Sequence, residues 1–312
     1  MEFHKKIVVL FIFTIVIEGC NNKEQENHGT FFCTEINSPV VDYIKHLNSF
    51  KSGVQPKSLD ADVLLPKAVF LKKVYWGDEI DTLCVSFIDG SPKVQERVME
   101  VAREWEEYCR IRFNVDSNCQ PDITISLVGE SATYESYVGK ESRGAVPSMK
   151  LQQIEHENDC EFRSIVLHEF GHALGLVHEH QHPEFNIPWN KKNVYKYYKE
   201  NHSWSRTKVD TAVFMRYELE LVEATEFDTS SIMIYQIPPD FLCGDFPSIE
   251  WVYQISEKDA QLIGEIYPPI GNFSPFFVPL NSVNIRLSTL YSNYRVFLYN
   301  LYWEVITFPL YS

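Results

Sequence analysis

Between residues 168 and 179 the chain reads His-Glu-Phe-Gly-His-Ala-Leu-Gly-Leu-Val-His-Glu, and few local structures are compatible with it. On a helix His168 and His172 lie four residues apart and project from one face, so both imidazoles can reach one tetrahedral metal ion at about 2.0–2.1 Å. Gly175 suits a chain that leaves the helix through a left-handed turn, and such a turn swings His178 back towards the other two. Glu169, one step round the helix, can reach a water on that metal without being a ligand. Three protein ligands leave a fourth position open, which separates a catalytic zinc from a structural one. A bare His-Glu-x-x-His is short enough to occur on an ordinary amphipathic helix, but the added glycine and third histidine make three unrelated histidines a poor account. His180 and His182 are surplus to a filled four-coordinate site and are expected to stay outside it.

A second constellation follows in Asp228-Thr229-Ser230-Ser231-Ile232-Met233-Ile234-Tyr235. The extended zinc motif followed by Ser-x-Met-x-Tyr resembles the metzincin clan, and Glu179 directly after the third histidine narrows the resemblance to the astacin-like peptidases of bacterial type. Weaker signals extend it: Trp76 to Gly90 resembles an entry strand, Ser136-Tyr137-Val138-Gly139 the strand segment before the active-site helix, and Leu262 to Pro268 a closing helix. The resemblance covers residues 70–268. It implies an α+β fold of the metzincin zincin type: a twisted mixed sheet, an active-site helix carrying the His-Glu-x-x-His motif, and a mostly irregular lower subdomain with a methionine turn. By the same resemblance Met233 lies beneath the zinc ligands, Tyr235 contacts the metal or the transition-state oxyanion, and Glu179 anchors the site from behind. Position 234 departs from the pattern, being Ile where many relatives carry His.

The expected chemistry is that of a zinc endopeptidase with one zinc per chain, held by His168, His172 and His178. Metal-activated water attacks a peptide carbonyl, Glu169 acts as general base, and Tyr235 stabilises the oxyanion. Two other classes share the motif. One is a catalytically silent zinc-containing surface binding protein or adhesin, against which the intact Glu169 argues, since binding places no demand on a base. The other is a zinc hydrolase acting on a non-peptide bond.

At 312 residues, 45% hydrophobic and 23% charged, the chain can bury a core of single-domain size with extensions. A net charge of −15 argues against nucleic acid and against anionic headgroups as partners, since either needs a basic face. The expected partner is a protein or peptide substrate, and the expected state a monomer. Lys5 and Lys6 precede an apolar run, Ile7–Ile17, too short to span a bilayer, so residues 1–19 read as a signal peptide. Ile17-Glu18-Gly19-Cys20 resembles a bacterial lipobox, which would make Cys20 a lipid anchor, the only membrane contact expected, and residues 20–69 a tether or short pro-part. The protein is therefore expected to be exported, as a cell-envelope lipoprotein or in secreted form. Setting Cys20 aside leaves Cys33, Cys84, Cys109, Cys119, Cys160 and Cys243, an even set that fits an oxidising compartment, although several could be buried thiols. Residues 269–312 form an aromatic-rich extension in which only Arg286, Arg295 and Glu304 are charged. Its role is not legible from composition.

Local patterns place the motifs. Leu83–Ile88 reads as a strand. Ser91-Pro92 opens a helix, with Val94, Val98, Val101 and Trp105 on one face and an end near Cys109. Ile123–Leu127 alternates like a half-buried strand. Pro147 cannot donate to a central ladder, so Gly144–Met149 is expected at a sheet edge or in an ordinary loop; the resemblance to astacin-like enzymes, whose edge strand pairs with extended substrate, makes it a candidate substrate rail. The active-site helix is expected over residues 161–174, and Ser256 opens a last helix with capping-box character. Tyr75-Trp76-Gly77-Asp78 loosely resembles the inhibitory aspartate segment of astacin-like zymogens, but it reads better as a turn leading into the following strand.

Overall fold

The computed structural model describes residues 68–116 and 118–269. The expected leader, the tether with Cys20 and Cys33, and the aromatic extension lie almost wholly outside the described residues. Strands β1 (Phe70–Leu71), β2 (Thr82–Phe87), β3 (Arg112–Asn114), β4 (Ile123–Ser126), β5 (Thr133–Ser136), β6 (Met149–Gln152) and β7 (Val222–Glu223) alternate with helices α1 (Pro92–Ala102), α2 (Asp159–Leu174), α3 (Lys191–His202), α4 (Arg206–Val209) and α5 (Glu257–Ile266). Five strands make a mixed sheet in the order β3-β2-β4-β6-β5. The first four are parallel and β5 runs antiparallel at the edge. β1 and β7 pair separately as a short antiparallel ribbon.

The local signals account for most of these bounds. Ser91 caps α1, accepting from the Val94 amide, with Pro92 at the first helical position. After Ala102 the chain tightens into a 3-10 turn, Arg103–Glu107, which closes the helical stretch just before Cys109. A disulfide joins Cys84 on β2 to Cys119 in the loop before β4, whereas Cys109 is a buried thiol and Cys243 an exposed one. The set is thus neither all paired nor all free.

Two expectations need correction. β4 is buried at all four positions rather than at alternate ones. It lies inside the parallel part of the sheet, and its polar side chains are satisfied there: Thr124 Oγ1 donates to the Ala145 carbonyl and Ser126 Oγ to the Asp89 carboxylate. Gly144–Ser148 is a loop, not an edge strand, and it leads into β6, which lies between β4 and β5. Pro147 is accommodated because it precedes the strand. On this side of the sheet the edge belongs to β5.

The main core fills the space between sheet and helices, with Trp105, Ile111, Ile125, Phe162, Phe170 and Leu262 among its members. Apart from Arg163, every residue of α2 from Glu161 to Leu174 is buried, so α2 runs through the core rather than along the surface. A second cluster, with Val194, Tyr198, Val209, Ile234, Ile237 and Phe241, forms the core of the mostly irregular part that follows. Ile234 belongs to it, so this departure from the family pattern has a packing reason.

Candidate metal centre

Helix α2 is pinned at both ends. Asn158 caps its start by accepting from the Glu161 amide. At its end, where the last four carbonyls have no helical partner, each is satisfied. The Gly171 carbonyl accepts from the Leu176 amide and that of His172 from Gly175. The Trp76 indole donates to the Ala173 carbonyl at 2.8 Å and the Tyr267 hydroxyl to that of Leu174 at 2.9 Å. Gly175 leaves the helix at φ 108°, and a Cβ there would meet the Phe70 ring at 2.4 Å, so both backbone and space require glycine.

That turn delivers His178. His168, His172 and His178 are all buried, and one ring nitrogen from each lies within 4.8 Å of the others. Two of the rings are held from behind by backbone carbonyls, with His168 Nδ1 2.8 Å from the Ile232 carbonyl and His172 Nδ1 2.9 Å from that of Leu176. A carbonyl only accepts, so each Nδ1 carries the proton and each Nε2 presents a lone pair. His172 Nε2 and His178 Nε2 stand 3.1 Å apart, close to the separation of about 3.3 Å set by two tetrahedral ligands each about 2.0–2.1 Å from a shared zinc. Burial holds His168 well below the usual imidazole range, with neighbouring His172 adding to the effect. The neutral form, the one that ligates, is favoured. The three residues fit a zinc ion.

Met233 sits under this cage. A Cβ on Gly171 would come within 2.5 Å of the Met233 sulfur, so the methionine packs directly against α2. The turn that carries it is fixed by Asp259 on α5. One carboxylate oxygen of Asp259 accepts from the Ser231 hydroxyl at 2.7 Å. The other accepts from the Ile232 amide at 2.7 Å and the Ser256 amide at 3.1 Å. Ser256 accepts from the Asp259 amide in return, completing the expected capping box. Burial raises the Asp259 carboxyl to about 6 even though these hydrogen bonds favour its charged form. Asp259 was not legible as a site residue, because its sequence signal was only that of a helix cap.

Glu169 and Glu179 are fully buried. Glu179 accepts from the Asp228 amide at 2.8 Å, and its own amide donates to the Met233 carbonyl at 3.1 Å. It therefore ties the third histidine to both ends of the methionine turn, and burial pushes its carboxyl well upward. Tyr235 is buried beside the cage, its ring centroid 4.4 Å from that of His178 and 4.3 Å from that of His180. His180 and His182 use their Nε2 atoms on the Ala212 and Thr225 carbonyls instead. Asp78 is exposed, and its carboxylate accepts from the Tyr75 hydroxyl at 2.6 Å in the turn after Gly77.

A buried three-histidine cage on and after a helix, beside a mixed sheet and above a methionine, defines the metzincin class of zinc enzymes. The Astacin peptidase family model matches residues 85–241, and the chain belongs to that family. The solved structure of myroilysin is 33% identical, with a TM-score of 0.61, over 64% of this chain and 98% of that one. A bone morphogenetic protein 1 homolog of Strongylocentrotus purpuratus is 31% identical over 103 residues, 32% of this chain and 15% of that protein. Zinc metalloproteinase nas-26 of Caenorhabditis elegans is 29% identical over 107 residues, 34% of this chain and 24% of that protein. The chain thus matches less than a quarter of the length of these curated relatives.

Proposed function

We propose that the chain is a zinc endopeptidase in which His168, His172 and His178 hold the ion, Glu169 is the general base and Tyr235 the oxyanion donor. The observation that carries this reading is the convergence of the histidine lone pairs, enforced from behind by the Ile232 and Leu176 carbonyls. A zinc ion bound there supplies Lewis acidity and a water of near-neutral pKa. Glu169 takes the proton of the attacking water on a carboxylate oxygen and returns it to the leaving amine. Tyr235 donates its phenol to the oxygen that becomes negative as the carbonyl carbon turns tetrahedral. The outer edge of β5, with no strand partner among the described residues, offers main-chain groups for an extended substrate.

We further propose that the chain is exported, anchored through a lipid on Cys20 or secreted, and acts as a monomer. Asp78 takes no part in latency in this reading. The decisive experiment is casein hydrolysis by the full chain, abolished by a zinc chelator and restored by zinc. Glu169→Ala should keep the fold and the metal while losing turnover by ~10²–10⁴-fold. A variant with near-normal turnover would remove Glu169 from the chemistry. Chelator-insensitive wild-type hydrolysis would remove the metal.

A further inference from the structure

The chain is acidic overall, but a groove of about 980 Å³ between α3 and α4 is basic. Lys192, Lys196 and Lys199 line one side of it and Arg206 the other, with Glu200 as the single carboxylate. The three lysines are exposed and none forms an ion pair among the described residues. The wall behind them is aromatic. Trp204 stacks on Tyr198 at 4.6 Å, Lys208 lies 4.2 Å over the Trp204 ring, and the Arg206 guanidinium lies 4.9 Å over Tyr195. Tyr198 is buried in the same cluster as Ile234, next in sequence to Tyr235.

We infer that this groove binds an extended acidic polypeptide segment. The lysines stand at i, i+4 and i+7, so their stems leave the helix about 6 and 4.5 Å apart along its axis. Carboxylates on one face of an extended chain recur about every 6.6 Å, close to the first of those steps, and the long lysine stems can splay to meet the second. A long nucleic acid, a long polysaccharide or an anionic bilayer extends past the patch and meets a surface that belongs to a chain of net charge −15. A short acidic segment stays inside. Each exposed pair is weak and screened by salt, so the binding rests on several pairs at once. Its use in recruiting substrate rests on the peptidase reading; the binding itself does not.

The test uses the full chain and a fluorescein-labelled octapeptide of alternating D-Glu and D-Ser, which resists hydrolysis, followed by anisotropy at low salt. The wild type should bind saturably, with affinity falling as salt rises. Lys196→Glu/Lys199→Glu should weaken binding at least about tenfold while still hydrolysing a neutral peptide at the wild-type rate. With a peptide carrying an acidic extension, the double variant should raise KM and leave kcat unchanged. Absence of saturable binding, equal binding by the variant, or capture of heparin without the peptide overturns the inference. Loss of all hydrolysis in the wild type overturns the peptidase reading alone, and leaves the binding result standing.

Discussion

The α-carbon of Gly171 and the sulfur of Met233 are so close that a methyl group on the glycine would lie 2.5 Å from the sulfur. The helix that presents two histidines and the turn that supports them are therefore packed backbone against side chain. Alanine at 171 would gain about 1 kcal/mol of helix propensity but must overpack a closed core at a cost of about 1–3 kcal/mol. Gly171→Ala should therefore lower stability by up to about 2 kcal/mol, read as a lower denaturation midpoint. In a Met233→Ala background the penalty should shrink. An equal penalty in both backgrounds would place the strain elsewhere.

Any one of His168→Ala, His172→Ala and His178→Ala should lose both zinc and activity, because two protein ligands remain. His182→Ala should keep its metal, since its Nε2 is engaged by the Thr225 carbonyl. Atomic absorption on the purified variants decides between them, and equal metal loss from His182→Ala would redraw the ligand set.

Tyr235→Phe keeps the ring that packs on His178 and His180 and removes only the hydroxyl. On the proposed oxyanion role, turnover should fall by about 10²–10³-fold, with zinc content and KM nearly unchanged. A rise in KM at constant turnover would make Tyr235 a substrate-binding residue.

Asp259 gives a pH signature. Its carboxyl is raised from 3.8 to about 6 in the folded chain, so the folded state holds the proton more tightly than the unfolded one. The associated stability is fully present below the unfolded value and is lost as pH rises through about 6. Relative to Asp259→Asn, the wild type should gain on the order of 2–3 kcal/mol as pH falls from 7 to 4. Parallel pH–stability curves for the two proteins would show that burial does not control this carboxyl.

The elements that were legible in the sequence carry local signals. Ser91-Pro92, the Ser256 cap and Gly175 announce helix ends within a few residues, and the histidine spacing is itself a local geometry. What was missed depends on partners far along the chain. Trp76 and Tyr267 complete the end of α2 from 97 and 93 residues away on either side, and neither carries a mark of that role. Asp259 reads as a cap and also holds the methionine turn. The alternation of Ile123–Leu127 misled because Thr124 and Ser126 find buried partners, which polarity alone does not foresee. Pro147 is compatible with an edge strand and with a loop before a strand, and the sequence alone does not choose between them; the chain adopts the loop.

Because all four terminal carbonyls of α2 are occupied and two of the histidines are braced by backbone, the folded chain should hold the cage in place without its ion. Amides near His172 should exchange with deuterium only on the timescale of global unfolding. Stripping the metal should leave an empty but ordered receptacle, and returning it should restore activity without a refolding lag.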